Sequence, residues 1–280
     1  MEGQTLTLSL IQTNLHWENP EKNLLMFEEW FKQVPAQTDI IVLPEMFTTG
    51  FSMNTSLAFT FWDEVGRWLE EQSKKLGGKL IVGSGMYDRG NIWGGSDYVN
   101  MFFACEISEE ARQLDRHGFK AVYAKRHLFR MAEEHKYYSK GDTQGHIKKK
   151  DFNIFPLICY DLRFPVWSAN YYSPFLQEVA YDLYIYVANW PKARIRAWDV
   201  LLPARAVENW AYCVGVNRVG VDGKGIEYCG HSAVYDYKGE QLAFLGDEEG
   251  ILTITLDKAP LNEYRKNFPA YLDADEFTLE

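Results

Sequence analysis

The sequence predicts an α/β fold, namely a four-layer α/β/β/α sandwich with two mixed sheets. Both halves of the chain begin with a strand, a helix and a strand, and the central strands are apolar throughout, which is typical of strands covered on both faces. Hairpin turns join the later strands, so each half is expected to combine parallel and antiparallel pairs. More apolar strand surface remains than one sheet with helices on one face can bury, which favours two sheets packed together with helices outside.

The expected strands are extended segments that are rich in apolar residues or alternate with polar ones. In chain order they cover residues 5–13, 39–44, 80–87, 98–106, 121–125, 152–160, 182–189, 212–219, 232–237, 241–245 and 251–256.

Four helices are expected between these strands. The first begins at Asn19 and Pro20, which supply an N-cap and a proline at the first helical position. A second begins near Phe61, because apolar residues recur there at helical spacing. Two more are expected within residues 167–180 and 195–211, although each range contains a proline that must start, stop or kink the helix.

Length and composition indicate one globular unit. The chain has 280 residues, of which 46% are hydrophobic and 15% aromatic, so it can bury a sizeable core. No Pro/Gly/Ser-rich linker and no repeat divides it. We therefore expect a single domain over residues 1–280, with residues 258–280 as a tail or an interface extension.

The charge balance excludes several classes of partner. Lys and Arg number 29 against 39 Asp and Glu, a net charge of −10, and the only compact basic runs are short, so a nucleic-acid partner is not expected. No stretch approaches the ~20 apolar residues of a membrane helix, and the first strand lacks the features of a signal peptide. We expect a cytoplasmic protein without a membrane partner.

The cysteines and histidines show no metal pattern. The four cysteines form no CxxC pair, and four in so long a chain are no disulfide framework. The nearest metal-like pattern, Cys229 with His231, lacks the partners of a zinc site. The sequence therefore predicts reduced thiols and no metal.

Three reactive residues lie at the ends of expected buried strands. They are Glu45, Lys125 and Cys159. A thiol with an ordinary pKa near ~8.5 is only a few per cent thiolate at pH 7, so it needs a neighbouring base to attack an amide efficiently. A carboxylate can take the thiol proton, and an ammonium can stabilise the oxyanion that forms at the carbonyl carbon. Together the three residues favour a cysteine hydrolase.

Each of these residues also has a purely structural interpretation. Cys159 can be a small buried hydrophobe, Glu45 a carboxylate at a helix start, and Lys125 a solvated strand end. A rival enzyme hypothesis gives the role of base to His127 or His231. A third hypothesis, from another class, is a non-catalytic interaction protein in which the thiol is unreactive.

Three segments carry a resemblance to a known family. LPEMF at 43–47, KRHLF at 125–129 and CYDLRFP at 159–165 resemble, in order and in context, the signature segments of the nitrilase (carbon–nitrogen hydrolase) superfamily. The resemblance runs across nearly the whole chain. It implies the α/β/β/α sandwich, no cofactor, and a homodimer or larger homo-oligomer.

The resemblance also implies the roles of individual residues. Glu45 is the general base, Lys125 the cation that stabilises the oxyanion, and Cys159 the nucleophile, with the Tyr160 backbone N–H as a second oxyanion donor. The family's fourth acid maps to Glu134. A slip of one residue, to the neighbouring Glu133, stays open.

Within the superfamily the chain is most similar to the bacterial omega-amidase branch, on the segments HLFRMAEE at 127–134, VANWP at 187–191 and ARAVEN at 204–209. This implies small-molecule half-amides of dicarboxylates, such as 2-oxoglutaramate or 2-oxosuccinamate, as substrates. Nitriles, carbamoyl compounds and other amides are the alternatives within the family. The candidate substrate-binding residues are Arg163, Arg130, Arg194, Asn189 and Trp190. Structural alternatives are that Arg163 braces the nucleophile turn and that Trp190 belongs to the core.

Overall fold

The computed structural model describes residues 4–60, 63–90, 94–107, 118–175 and 178–275. The strands in these ranges are β1 (Thr5–Gln12), β2 (Ile40–Val42), β3 (Leu80–Asp88), β4 (Tyr98–Cys105), β5 (Phe119–Ala124), β6 (Ile147–Lys149), β7 (Phe152–Ile158), β8 (Tyr172–Ser173), β9 (Glu178–Val179), β10 (Leu183–Val187), β11 (Tyr212–Val216), β12 (Val219–Val221), β13 (Glu227–Cys229), β14 (Ser232–Tyr235), β15 (Gln241–Leu245) and β16 (Gly250–Asp257). The α-helices in the same ranges are α1 (Pro20–Phe31), α2 (Glu64–Lys75), α3 (Ile195–Glu208) and α4 (Lys258–Asn267).

Two six-stranded mixed sheets form the centre of the molecule. The first sheet has the order β16-β1-β2-β3-β4-β5, and the second has the order β15-β14-β11-β10-β7-β6. In each sheet three neighbouring strands run parallel, β1-β2-β3 in the first and β7-β10-β11 in the second, and antiparallel strands flank them on both sides. The two mixed sheets confirm the expected fold class.

The alternation of side chains along β2 shows how the layers are built. Ile40 and Val42 belong to the core cluster shared with the second sheet, whereas Ile41 belongs to the cluster shared with α1 and α2. Successive residues of a strand point to opposite faces, so both faces of this apolar strand are covered. On the far side of the second sheet, Trp198 and Leu202 of α3 pack over β11.

The helix cap predicted at Asn19 is present. The Asn19 side chain accepts a hydrogen bond from the Lys22 N–H at the start of α1, and Pro20 occupies the first turn. The expected second helix includes Phe61, which lies outside the described residues, and α2 begins after an Asp63 cap. Helix α3 contains Pro203 and continues to Glu208.

The helix expected within residues 167–180 is wrong. This segment contains turns and the short hairpin of β8 and β9. The Asn170 side chain binds the backbone of Tyr171 and Tyr181, which offers the chain an alternative to helical hydrogen bonds. Pro174 also lacks the N–H that a helix interior needs.

The strands that carry the site end one or two residues earlier than the sequence pattern suggests. Strands β2, β5, β7 and β10 end before Glu45, Lys125, Cys159 and Asn189, so these four residues lie at the starts of loops. The rigid strands fix the loop origins, and the loops from both sheets meet at one edge of the sandwich. Within the described ranges, no helix has both the length and the apolar character needed to cross a bilayer.

Candidate active site

Two carboxylates and one ammonium form a fully buried cluster at this edge. Lys125 Nζ lies 2.9 Å from Glu45 Oε1, and 3.0 and 3.1 Å from the two carboxylate oxygens of Glu134. All three side chains have no solvent-exposed surface. A buried charge is tolerated only when it is paired and hydrogen-bonded, so each member of the cluster depends on the others.

Glu45 is held in place by groups that donate hydrogen bonds to it. Asn100 Nδ2 donates to Oε1 at 2.8 Å, and the Asn189 backbone N–H donates to Oε2 at 2.8 Å. The Ser84 hydroxyl donates to Asn100 Oδ1 at 2.9 Å, which turns the amide so that its NH₂ group faces Glu45. Glu45 therefore stands as an acceptor, which suits a base.

Cys159 lies next to this cluster in an unusual backbone conformation. It begins the 3-10 helix Cys159–Arg163 with φ +46°, a left-handed value that is uncommon outside glycine and concentrates at functional sites. Its Sγ lies 4.0 Å from the Asn189 carbonyl oxygen, and the Glu45 carboxylate is near enough to raise the pKa of the thiol. Cys159 lines a cavity, whereas Glu45, Lys125 and Glu134 do not.

Asp161 fixes the turn that carries the thiol. Its buried carboxylate accepts hydrogen bonds from the Ile158 N–H at 3.1 Å, the Tyr123 hydroxyl at 2.8 Å and the His127 N–H at 3.0 Å. Tyr123 and His127 flank Lys125 in sequence. The same carboxylate thus ties the turn that carries Cys159 to the segment that carries Lys125.

The pKa shifts in the cluster have clear causes. Burial raises the pKa of the Cys159 thiol, and the Glu45 carboxylate raises it further, against the opposing effect of Lys125. Burial acts to lower the pKa of Lys125, but the carboxylates of Glu134 and Glu45 outweigh it and hold that pKa well above its usual value. Burial also raises the pKa of Glu134. The resting site therefore contains a neutral thiol and a charged ammonium.

The structure separates the two adjacent glutamates. Glu134 contacts Lys125 and accepts the Phe129 N–H at 2.6 Å, whereas Glu133 is exposed and pairs with Lys136. The left-handed backbone of Glu133, φ +59°, turns the chain between two 3-10 helices and points the two side chains apart.

A small cavity opens in front of the thiol, with ≈ 50 Å³ within reach of a water-sized sphere. It is lined by aromatic, aliphatic and cationic side chains together with the thiol: Phe51, Phe129, Ala132, Cys159, Tyr160, Arg163, Asn189, Trp190, Pro191, Arg194, Ile226 and Tyr228. Arg130 is exposed and does not line this cavity, because it stands on the surface of the 3-10 helix Arg130–Ala132.

The two cavity arginines stack on rings. The guanidinium carbon of Arg163 lies 5.1 Å from the Trp190 ring, and that of Arg194 lies 5.1 Å from the Phe129 ring. Among the described residues, neither has a carboxylate within ion-pair distance. Both half-buried cations thus remain able to bind an anion that enters the cavity.

The two histidines of the rival hypothesis contact aspartates. His127 Nδ1 lies 2.8 Å from Asp161, and His231 Nδ1 lies 2.8 Å from Asp199. Neither histidine lines the cavity.

Sequence reasoning missed several residues of the site. Asn100 lies inside β4 and Tyr228 inside β13, both far from the signature segments, and no local pattern distinguishes them from core residues. Asp161 does lie within CYDLRFP, so a polar residue expected to be buried beside Cys159 could have been singled out.

Comparison with known proteins supports the resemblance to carbon–nitrogen hydrolases. A model of the carbon–nitrogen hydrolase family matches residues 7–266. The chain is 40% identical over 275 residues to omega-amidase YafV of Escherichia coli (strain K12), covering 98% of each chain. It is 32% identical over 271 residues to 2-oxoglutaramate amidase of Bacillus subtilis (strain 168), covering 95% of this chain and 96% of that one.

A solved structure agrees as well. XC1258 from Xanthomonas campestris, a CN-hydrolase superfamily protein with an arsenic adduct in its active site, matches with a TM-score of 0.87 and 34% identity over 99% of both chains. The resemblance read from the three signature segments is therefore confirmed. The chain belongs to the carbon–nitrogen hydrolase family.

Proposed function

We propose that this protein is an omega-amidase that hydrolyses the terminal amide of small dicarboxylate half-amides, such as 2-oxoglutaramate and 2-oxosuccinamate. The products are the dicarboxylate and ammonia. The observation that carries this proposal is the buried Glu45–Lys125–Glu134 cluster behind Cys159, in front of which two arginines line a small cavity. Relatives named omega-amidase and 2-oxoglutaramate amidase support it.

The first half-reaction forms a thioester. The Cys159 sulfur attacks the amide carbon while its proton passes to Glu45, so the thiol need not ionise beforehand. The oxyanion is held by the Lys125 ammonium and by the Tyr160 N–H, which lies in the first turn of its 3-10 helix, where N–H groups have no acceptor within the helix. The C–N bond breaks as Glu45 returns the proton to nitrogen, and ammonia leaves.

The second half-reaction uses the same carboxylate. Water gives a proton to Glu45 and attacks the thioester carbon, the C–S bond breaks, and the sulfur regains its proton. Glu134 touches no reacting atom in this scheme. Its two oxygens hold Lys125 Nζ at 3.0 and 3.1 Å and thereby orient the ammonium.

The cavity selects the substrate by charge and size. Because the chain carries a net charge of −10, attraction of an anion depends on local cations such as Arg163 and Arg194. A space of ≈ 50 Å³ suits a few heavy atoms beyond the reacting carbon. The buried Asn189 Oδ1 has no hydrogen-bond partner among the described residues, and it can accept the amide N–H of the substrate.

Two further proposals concern the setting of the enzyme. Four unpaired cysteines agree with a reducing, cytoplasmic location.

Exposed apolar side chains agree with a homodimer or larger homo-oligomer, since Val200 and Val207 are about half exposed on α3 and Phe175 is 94% exposed.

The test is an ammonia-release assay over a panel of half-amides, nitriles and carbamoyl compounds, with Cys159→Ala as the control variant. We expect release from the half-amides that disappears in the control. A preference for nitriles or carbamoyl compounds would contradict the proposed substrate class, and full activity of Cys159→Ala would contradict the nucleophile.

A further inference from the structure

Most of the aromatic rings that line the cavity have a cation close to them. Four of the lining rings have a cationic group 4.7–5.1 Å from the ring centroid, and these pairs are Phe51 with Lys125, Phe129 with Arg194, Trp190 with Arg163, and Tyr228 with Arg218. Arg163 and Arg194 line the cavity themselves, and Lys125 belongs to the reacting cluster. Arg218 does neither.

Arg218 is a fully buried cation with neutral partners. Its Nη2 donates to Asn14 Oδ1 at 2.8 Å and to the Leu15 carbonyl at 3.2 Å, and its Nε donates to the Val219 carbonyl at 3.1 Å. Its Nη1 has no partner among the described residues. Asp222 attracts it but forms no ion pair with it within 4.0 Å. The positive charge is therefore only partly compensated.

The position of Arg218 links two walls of the cavity. Its guanidinium carbon lies 4.7 Å from the ring centroid of Tyr228, whose hydroxyl is fixed by Asp222 at 2.9 Å. Arg218 Nη1 also lies beside Gly50, since a Cβ atom on Gly50 would be 3.4 Å from it. Gly50 directly precedes Phe51, which lines the cavity. Arg218 thus does not line the cavity itself, but it stands over the ring of one lining residue and beside the backbone that precedes another.

We propose that Arg218 is a specificity-determining residue that favours anionic substrates without touching them. The inference rests on the proposed function, which supplies the anionic half-amide. A buried charge one residue away from the cavity acts on a ligand there with little screening by salt, whereas the surface charges that make the protein acidic are screened. In a cavity this small, no ligand atom lies far from the wall. Arg218 also holds Tyr228 in position, and the test must separate these two roles.

A matched pair of amides separates them. Glutaramate, the half-amide of glutaric acid, carries a carboxylate, and glutaramide replaces it with a neutral amide of the same shape. We expect Arg218→Met to raise the KM for glutaramate about tenfold and that for glutaramide less than about twofold, with little change in kcat. Arg218→Lys should retain most of the preference for the anion. Equal losses on both substrates, or no loss, would overturn the proposal.

Two additions keep the test decisive. Arg218→Gln lacks the charge but can still donate to Asn14 or Leu15, so it replaces Arg218→Met should that variant not fold. Arg265→Met removes another buried arginine, which lies on α4 and pairs with Asp182. This variant should lower Tm without changing the preference for glutaramate over glutaramide.

Calorimetry provides a measurement that does not depend on turnover. In the Cys159→Ala background, Arg218→Met should weaken glutaramate binding about tenfold and glutaramide binding less than about twofold. An unchanged dissociation constant for glutaramate would count against Arg218. Binding without ammonia release by the parent protein would instead count against the proposed function alone.

Discussion

The two sheets share one arrangement of strands, but their corresponding strand ends carry different residues. Read from β16 in the first sheet and from β6 in the second, neighbouring strands pair in the same order: antiparallel, parallel, parallel, antiparallel, antiparallel. Even the irregularity between the last two strands recurs. This correspondence pairs β7 with β1 and β5 with β15, so Cys159 corresponds to Thr13, directly after the end of β1, and Lys125 corresponds to Gly246.

The end of β1 is closed rather than reactive. Gln12 Nε2 donates to the carbonyls of Gly246 at 2.6 Å and Glu248 at 2.7 Å, and its Oε1 accepts the Ser232 N–H at 3.0 Å. Every polar group of this amide is used to join the sheets. At the corresponding end, the Cys159 thiol faces a cavity. The scaffold supplies two similar positions, and the side chains decide which one is closed and which one opens onto a cavity.

The largest expected effect is on the base. Glu45→Gln keeps the shape of the side chain but cannot take the thiol proton, so kcat/KM for a half-amide should fall roughly 10³–10⁴-fold. Steady-state ammonia release measures it, and circular dichroism checks that the fold is kept. A loss below about tenfold would show that another group is the base.

Removing the ammonium should damage both rate and stability. Lys125→Met withdraws an oxyanion donor, a change expected to lower kcat by at least about 10²-fold. It also leaves Glu45 and Glu134 buried without their cation, which should cost roughly 3–5 kcal/mol of unfolding free energy. Kinetics and urea unfolding measure the two effects. An unchanged unfolding free energy would contradict the pairing described for the cluster.

Replacing Gln12 at the end of β1 should lower stability without lowering activity. Gln12→Met leaves the Ser232 N–H without its acceptor and should lower the unfolding free energy by about 1–3 kcal/mol. We expect kcat/KM to stay within about threefold of the parent value. A loss of kcat/KM comparable to that of Glu45→Gln would contradict the proposed functional difference between the end of β1 and the end of β7.

The smallest expected effect is that of alkaline pH. The raised pKa of Cys159 keeps the thiol protonated above the usual thiol range, and the raised pKa of Lys125 keeps the ammonium charged above the usual lysine range. Neither group then changes charge between about pH 7.5 and 9.5. In that window, kcat/KM should vary less than about twofold. A rise of several-fold centred near pH 8.5 would indicate attack by a preformed thiolate.

Much of the fold and of the reactive cluster can be predicted from sequence, for local reasons. The strand before each reactive residue is an apolar run, and Glu45, Lys125 and Cys159 each lie within a short signature segment. The helix expected within 167–180 failed because the hydrogen bonds of Asn170 and the ring of Pro174 override a loosely periodic pattern.

The remaining parts of the site depend on contacts between distant segments. Asn100 reaches Glu45 across 55 positions in the chain, and Arg218 contacts Tyr228 because the pairing of β12 with β13 brings Tyr228 back beside it. Neither residue belongs to a motif that a single sequence reveals. Arg130 and Arg194 both carry the expected charge, but the folded chain brings only Arg194 to the cavity.

Rapid acid quench during turnover tests the central proposal most directly. Mass spectrometry of the digested protein should show the substrate acyl group, equal to the half-amide minus ammonia, on the peptide that contains Cys159. Turnover without any acyl group on Cys159, or an acyl group on Cys105, Cys213 or Cys229 instead, would contradict the proposal.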